Sequence, residues 1–388
     1  MRGLSALVAD VWRLARPYFA SEQRWSARLL LGVIIALDLS RVGMTVVLSF
    51  WNRAFYNALQ DKDWDSFISL LLFYKRTEDG ILPGFILVAA LYIIVAIYRT
   101  YLSQWLEIRW RRWMTEQLID DWLANRAYFR LSLLAQADGG GSTIEADADP
   151  MRRSADNPDQ RISEDVRDFV QNTLSIGLGL LSSVVSLFSF LTILWGLSGV
   201  FTVLGVPIPG YLVWVAVIYA VAGTWLTHIV GRPLAMLDFV QQRVEANFRF
   251  ALARLRENVE GIALHNGEAA EGAALKRRFA ALADNWWDIM WRTKKVIALT
   301  AGYNQAASVF PIVVVAPRFF SGEISLGALT QTAGAFGRVE DSLSFFINAY
   351  RSLASWRATV GRLAGFRRSI DAAHAAAHAG EGVAVAEG

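Results

Sequence analysis

Two ionisable side chains stand inside an otherwise apolar run: Asp38 and Arg41, within the stretch from Leu29 to Phe50. A lone charge at the centre of a bilayer costs on the order of 2.5–3.5 kcal/mol on insertion scales. A spacing of three places this carboxylate and guanidinium on one helix face, where they can pair. Such a pair either bonds neighbouring helices to one another or lines a cavity for a solute. Asp38, Asp341 and Glu164 are also the candidates for carrying a proton, because an ionisable group in or beside the membrane is the usual carrier. Other chemistry is hard to find. The absence of cysteine excludes disulfides, thiolate metal ligands and a Cys nucleophile. No His-Glu-x-x-His, Gly-x-Ser-x-Gly or dinucleotide fingerprint occurs, which leaves a membrane enzyme or receptor without a motif. Gly139-Gly140-Gly141-Ser142 has the glycines of a phosphate loop, but no Gly-Lys-Ser/Thr follows and no apolar strand precedes it, so the stretch from Ala135 to Asp156 reads as a flexible loop. His374 and His378 have the spacing of a chelating pair but no third or fourth ligand, so no metal site is assigned. No catalytic residue is assigned either, and no cofactor is expected on this chain.

The elements that must position these residues are apolar and long. Hydrophobic residues make up 54% of the chain and the mean hydropathy is +0.32, values of a multispan membrane protein with large polar loops. The fifteen tryptophans fit a chain with many membrane–water boundaries. The net charge of +3 gives no reason to expect nucleic acid as a partner. Arg109, Arg111 and Arg112, interleaved with Trp105, Trp110 and Trp113, follow directly on an apolar run and read as a membrane-surface anchor.

The patterning predicts an all-α membrane protein with six transmembrane helices, at about residues 29–50, 81–102, 169–197, 211–230, 296–316 and 326–349. Residues 1–28 read as an interfacial elbow helix ending before Pro17, and residues 351–388 as a helix end followed by a linker or tail. Arg99 lies near the end of the second span, where it can snorkel outward. The fourth span is expected to break near Gly231-Arg232-Pro233. Lysines and arginines number 28 in segments 1–28, 104–168, 232–293 and 351–388, against five in the opposite connections, so both termini and the two long loops are expected in the cytoplasm.

The longest polar interval, Arg232 to Lys295, carries Leu237, Val240, Val244, Phe248, Ala251, Leu255, Val259 and Ile262 at helical spacing. At about 1.5 Å per residue this stripe is roughly 38 Å long. It predicts a rod that leaves the membrane and ends in a turn at Glu257 to Glu268, where Gly261 and Gly267 loosen the helix. Pro158, with acidic residues close behind it, starts another helix after the loop.

Several strings, in this order, resemble the membrane domain of ATP-binding-cassette half-transporters, in the branch that holds the SbmA/BacA-like peptide uptake proteins and the peroxisomal fatty-acyl half-transporters. They are Pro17-Tyr18-Phe19, Phe55-Tyr56-Asn57-Ala58-Leu59-Gln60, Asn157-Pro158-Asp159-Gln160-Arg161-Ile162, Glu260-Gly261-Ile262-Ala263-Leu264 with Gly267-Glu268, Ala316-Pro317-Arg318-Phe319-Phe320 and Trp356-Arg357-Ala358-Thr359. The resemblance implies an exporter-like (type IV) fold working as a homodimer in the bacterial inner membrane. It also implies a nucleotide-binding domain, fused or separate, that carries ATP and Mg. Asn157, Asp159, Gln160 and Arg161 would belong to the first coupling connection, and Glu257, Glu260, Gly261, Gly267 and Glu268 to the second. A substrate cavity for a peptide-like or amphipathic solute would be lined by Asp38, Arg41, Asn304, Gln305, Gln331 and Asn348. No Gly-x-x-x-x-Gly-Lys-Ser/Thr lies in these residues, so the energy comes either from ATP on a domain outside them or, as the alternative, from protons in the SbmA/BacA-like manner.

Overall fold

Lipid offers no partner for a backbone N–H or C=O, so a chain with this much apolar sequence satisfies its backbone inside long helices. The computed structural model describes residues 4–77, 80–137, 157–203 and 206–380. Its helices are α1 (Leu4–Ala20), α2 (Arg24–Gln60), α3 (Trp64–Leu72), α4 (Phe85–Leu123), α5 (Ala127–Ala137), α6 (Val166–Ser198), α7 (Tyr211–Glu257), α8 (Val259–Leu264), α9 (Glu268–Phe320) and α10 (Leu326–Gly380). Two antiparallel hairpins interrupt them: β1 (Tyr74–Thr77) with β2 (Gly80–Pro83), and β3 (Val200–Val203) with β4 (Val206–Pro209). Five helical stretches among the described residues are long and apolar enough to cross a membrane: Arg24–Gln60, Phe85–Ser132, Pro158–Ser198, Tyr211–Glu257 and Glu268–Phe320. The expected sixth, the first part of α10, is helical but carries Arg338, Glu340 and Asp341 together, which lowers its hydropathy.

The chain forms two compact units, residues 1–190 with 341–388, and residues 191–340. In the first, α1, α2, α4, the start of α6 and the far part of α10 share a core of Leu14, Tyr18, Ile34, Trp110, Phe169 and Phe366. Tyr18 stacks on Trp110 at 5.7 Å. This packing explains why α1 continues through Pro17 to Ala20 rather than ending before it: Leu14 and Tyr18 are both buried, and tertiary contact outweighs the lost backbone bond. Burial also pushes the Tyr18 hydroxyl above its ordinary pKa, against the nearby positive charge of Arg109. A smaller cluster of Trp51, Ala58, Leu70 and Leu82 joins the end of α2 to α3 and β2, and Trp51 Nε1 donates to the Leu70 carbonyl at 2.8 Å. The connection at 51–80 is therefore built mostly of helix and strand, and the second span opens with a strand and begins as helix only at Phe85.

In the second unit, α7 and α9 run antiparallel. Tyr219 stacks on Tyr303 at 4.6 Å, and each hydroxyl donates to the other residue's carbonyl, at 2.9 and 3.2 Å. Farther along, Asn285 Nδ2 donates to Gln241 Oε1 at 2.8 Å and to the Leu237 carbonyl at 3.1 Å, inside the seam. With the register held on both sides of Pro233, α7 runs through the expected break without interruption. Likewise α9 passes Pro311 and Pro317 to reach Phe320. Arg318 donates to the Leu197 and Ser198 carbonyls at 3.1 and 2.8 Å, which satisfies the free carbonyls at the end of α6. The Ala-rich stretch after Arg368, expected to be a linker, continues as helix to Gly380 because Ile370 and Ala373 are buried in the first unit's core.

Gly223 of α7 faces the Tyr303 ring of α9 so closely that a Cβ there would overlap the ring. A Gly223→Leu variant is expected to lose about 1–3 kcal/mol through overpacking. Thermal unfolding of the detergent-solubilised protein checks this, as a lowered Tm.

Candidate coupling surfaces and an intramembrane ion cluster

The stripe of apolar residues on α7 zips onto α9 and leaves the turn at its end in water. Arg254 on α7 bridges Glu271 on α9 at 3.3 Å, and Phe248 packs on Phe279 with centroids 5.7 Å apart. Asn258 breaks α7, and α8 follows as a short helix closed by Asn266 at φ 50° and Gly267. Glu257, Glu260, Gly261 and Glu268 are exposed and Gly267 is half-buried. Leu264, at the end of α8, is 81% exposed. A braced hairpin thus presents a small helix with one bare leucine and acidic neighbours. Its apolar spacing and its glycines were readable in the sequence; the bareness of Leu264 was not.

In the other unit, Asn157 takes a left-handed conformation (φ 57°) and Pro158 opens a helical turn over Pro158–Gln160. A π-helical turn, Arg161–Asp165, then leads into α6. Asn157, Asp159 and Gln160 are exposed, and Gln160 bonds Glu164 at 3.1 Å. Arg161 points inward and is buried. It bridges Asp165 at 2.6 Å, and Asp165 also accepts from Arg362 of α10 at 2.9 Å. Burial alone would raise the Asp165 carboxyl, but the hydrogen bonds from Arg362 and Arg161 outweigh it and hold the group below the usual carboxylate range. Trp356 Nε1, one turn and a half before Arg362 on α10, donates to Thr173 Oγ1 at 2.9 Å. Arg362 lies 197 residues from its partner, and nothing in its local sequence marks it.

Asp38 on α2 is 1% exposed. Its nearest cation is Arg99 of α4, whose Nε lies 3.0 Å from Oδ1, while Arg41 stands at 3.7 Å. Arg99 therefore turns in to pair, in place of the outward snorkelling expected of it, because a buried carboxylate without a counter-charge costs more than the lost hydration of a half-buried guanidinium. Arg41 also reaches the Tyr92 hydroxyl at 3.4 Å and sits over that ring at 5.6 Å. One carboxylate thus faces two guanidiniums, and Asp38 Oδ2 and Arg41 Nε are both buried without a hydrogen-bond partner. Asn304 and Gln305 are exposed on α9. Gln331 of α10 is 2% exposed, with both amide atoms unpartnered. Asn348 lies on α10, with its side chain outside the described residues. Asp341 and Glu164 are exposed, and His374 bonds the Asp121 carbonyl at 2.8 Å. Among the described residues no group of three metal-ligating side chains comes together.

A family model described as ABC transporter transmembrane region 2 matches residues 14–320. The chain is 31% identical to ABC transporter D family member 2, chloroplastic, of Arabidopsis thaliana, covering 95% of this chain and 46% of that protein. It is 32% identical to the inner membrane ABC transporter ATP-binding protein YddA of Escherichia coli, covering 94% of this chain and 61% of that one. It is 22% identical to the lysosomal cobalamin transporter of Mus musculus, covering 94% and 54%. The chain therefore spans about half the length of these relatives.

The Asp165 network carries a prediction with a definite sign. A carboxyl titrating below its ordinary value of 3.8 contributes stability that is complete above that value and is lost as pH falls through the lower folded value. Asp165→Asn strands Arg161 and is expected to cost about 3 kcal/mol at pH 7. In thermal unfolding, its gap from the parent protein narrows as the pH is taken below about 4.

Proposed function

The chain belongs to the ABC transporter transmembrane region 2 family, and on that premise we propose that it is the membrane half of a homodimeric transporter. It carries a peptide-like or amphipathic solute across the bacterial inner membrane through six spans, with both termini cytoplasmic. ATP is hydrolysed with Mg on a nucleotide-binding domain outside these residues. The observation that carries this reading is the braced α7–α9 hairpin tipped by α8, which offers a bare Leu264 beside Glu260 and Glu268. A rigid rod transmits a displacement at its tip to the membrane with little lost in bending, and the Arg254–Glu271 and Gln241–Asn285 bonds supply that stiffness. Asn157, Asp159 and Gln160 form the first connection, seated on the Arg161–Asp165–Arg362 network.

That similar proteins of Escherichia coli and Haemophilus influenzae are ABC transporter ATP-binding proteins supports ATP over protons as the energy source. The exposure of Asp341 and Glu164 and the double pairing of Asp38 give the proton alternative no added support. Asp38, Arg41 and Arg99 would stand on the solute's path, where Arg41 keeps part of its surface open.

Proteoliposomes holding the chain with its nucleotide-binding domain test the reading. Leu264→Asp with Glu260→Arg is expected to reduce ATP-driven transport at least about tenfold while membrane insertion is unchanged. Uptake that needs no ATP and stops when the pH gradient collapses would transfer the case to the proton mechanism.

A further inference from the structure

Helix α9 passes from its polar part into the apolar run 296–316 through Trp286-Trp287-Asp288-Ile289-Met290-Trp291-Arg292-Thr293-Lys294-Lys295. Ile289 is buried, while Trp287 and Trp291 are 67% and 58% exposed. Lys294 Nζ lies 4.9 Å from the centre of the Trp291 ring and Lys295 Nζ 5.2 Å from it. Two ammonium groups thus crowd one indole, and among the described residues neither has a hydrogen bond or a carboxylate within 4.0 Å. Asp284 and Asp288, the nearest acidic residues in sequence on the same helix, lie back toward its polar end, as do Glu268 and Glu271, and none bridges either lysine.

The other place where a cation sits on a tryptophan beside a span differs in one respect. Arg109 lies over Trp105 at 5.8 Å, but its guanidinium donates to Ser26 Oγ at 2.7 Å and Gln23 Oε1 at 2.9 Å, so it is occupied in holding α2 to α4. Lys294 and Lys295 are not occupied in this way. They stand immediately outside the apolar run, at the level where a bilayer places its phosphates and where indole rings collect. Two uncompensated ammoniums at that depth call for an anion, and the anion available there is a phosphodiester.

We infer that Trp291, Lys294 and Lys295 form a docking site for the headgroup phosphate of an anionic phospholipid, with the two ammoniums on the phosphate, the Trp291 indole beside the headgroup and Trp287 one turn farther toward water. The inference rests on α9 crossing the membrane and not on ATP coupling or on which side the hairpin faces, since a symmetric bilayer offers the same lipid to both.

The test uses the full chain in nanodiscs of phosphatidylcholine with about one fifth phosphatidylglycerol, reading retained lipid by native mass spectrometry. Surface basic residues each strengthen anionic-lipid attachment by about fivefold. Lys294→Gln with Lys295→Gln is therefore expected to weaken phosphatidylglycerol retention about 30-fold, and about 0.5 M salt to weaken it in the parent protein. Lys294→Arg with Lys295→Arg is expected to retain the lipid, which separates loss of charge from misfolding. Should the double Gln variant not fold, Lys295→Gln alone decides, with a fivefold loss expected. Equal retention of both lipids by the parent protein, unchanged retention in the Gln variant, displacement by equimolar inorganic phosphate, or cross-linking of Lys294 to a carboxylate of the partner subunit would each overturn the inference.

Discussion

The constraint on which this structure depends is that hydrocarbon solvates neither backbone nor charge. Spans become helices for that reason, while α1, α7 and α9 continue through Pro17, Pro233 and Pro317 because each missing hydrogen bond is set against a packed protein face. The same constraint draws Arg99 to Asp38. A carboxylate 1% exposed holds two guanidiniums near it, and the bond ties α2 to α4 across 61 residues of chain. Lipid thus decides secondary structure and, through a single charge, part of the tertiary pairing.

Outside the apolar runs the forces change, and so does the construction. In water the α7–α9 pair is held by a buried apolar stripe, as any soluble helical hairpin is, with Gln241 and Asn285 satisfying one another inside the seam. A Gln–Asn bond contributes little net stability, but it fixes register, because a slip by one turn would bury both amides unpaired. Together with the Tyr219–Tyr303 reciprocal bonds it makes one continuous element out of two long helices. What such an element leaves uncovered is its tip, and the exposed Leu264 lies there.

The two connections expected to meet an energy source are built differently. The second is a turn on the end of a hairpin, supported by its own neighbours in sequence. The first is a few exposed residues on a buried charge network: Arg161 lies under them, paired to Asp165, and Asp165 is held by Arg362 from near the other end of the chain. Within one matched string, Asn157 to Arg161, some residues face water and Arg161 supports them from beneath. Similarity of sequence does not separate those roles; burial does.

By itself the sequence determined the class of protein and most of its helical plan, because apolar runs of about twenty residues and the three-to-four spacing of the α7 stripe are local properties, each sufficient alone. The turn at Gly261 and Gly267 and the start at Pro158 were legible for the same reason. Only the tertiary structure decided that Asp38 belongs with Arg99 more closely than with Arg41, that Asp165 binds Arg362, that the prolines are carried through, and that residues after Arg368 stay helical on a core. Those outcomes depend on residues tens to hundreds of positions apart. A charge or a missing hydrogen bond is resolved by whatever lies nearest in space, and distance along the chain carries no record of that.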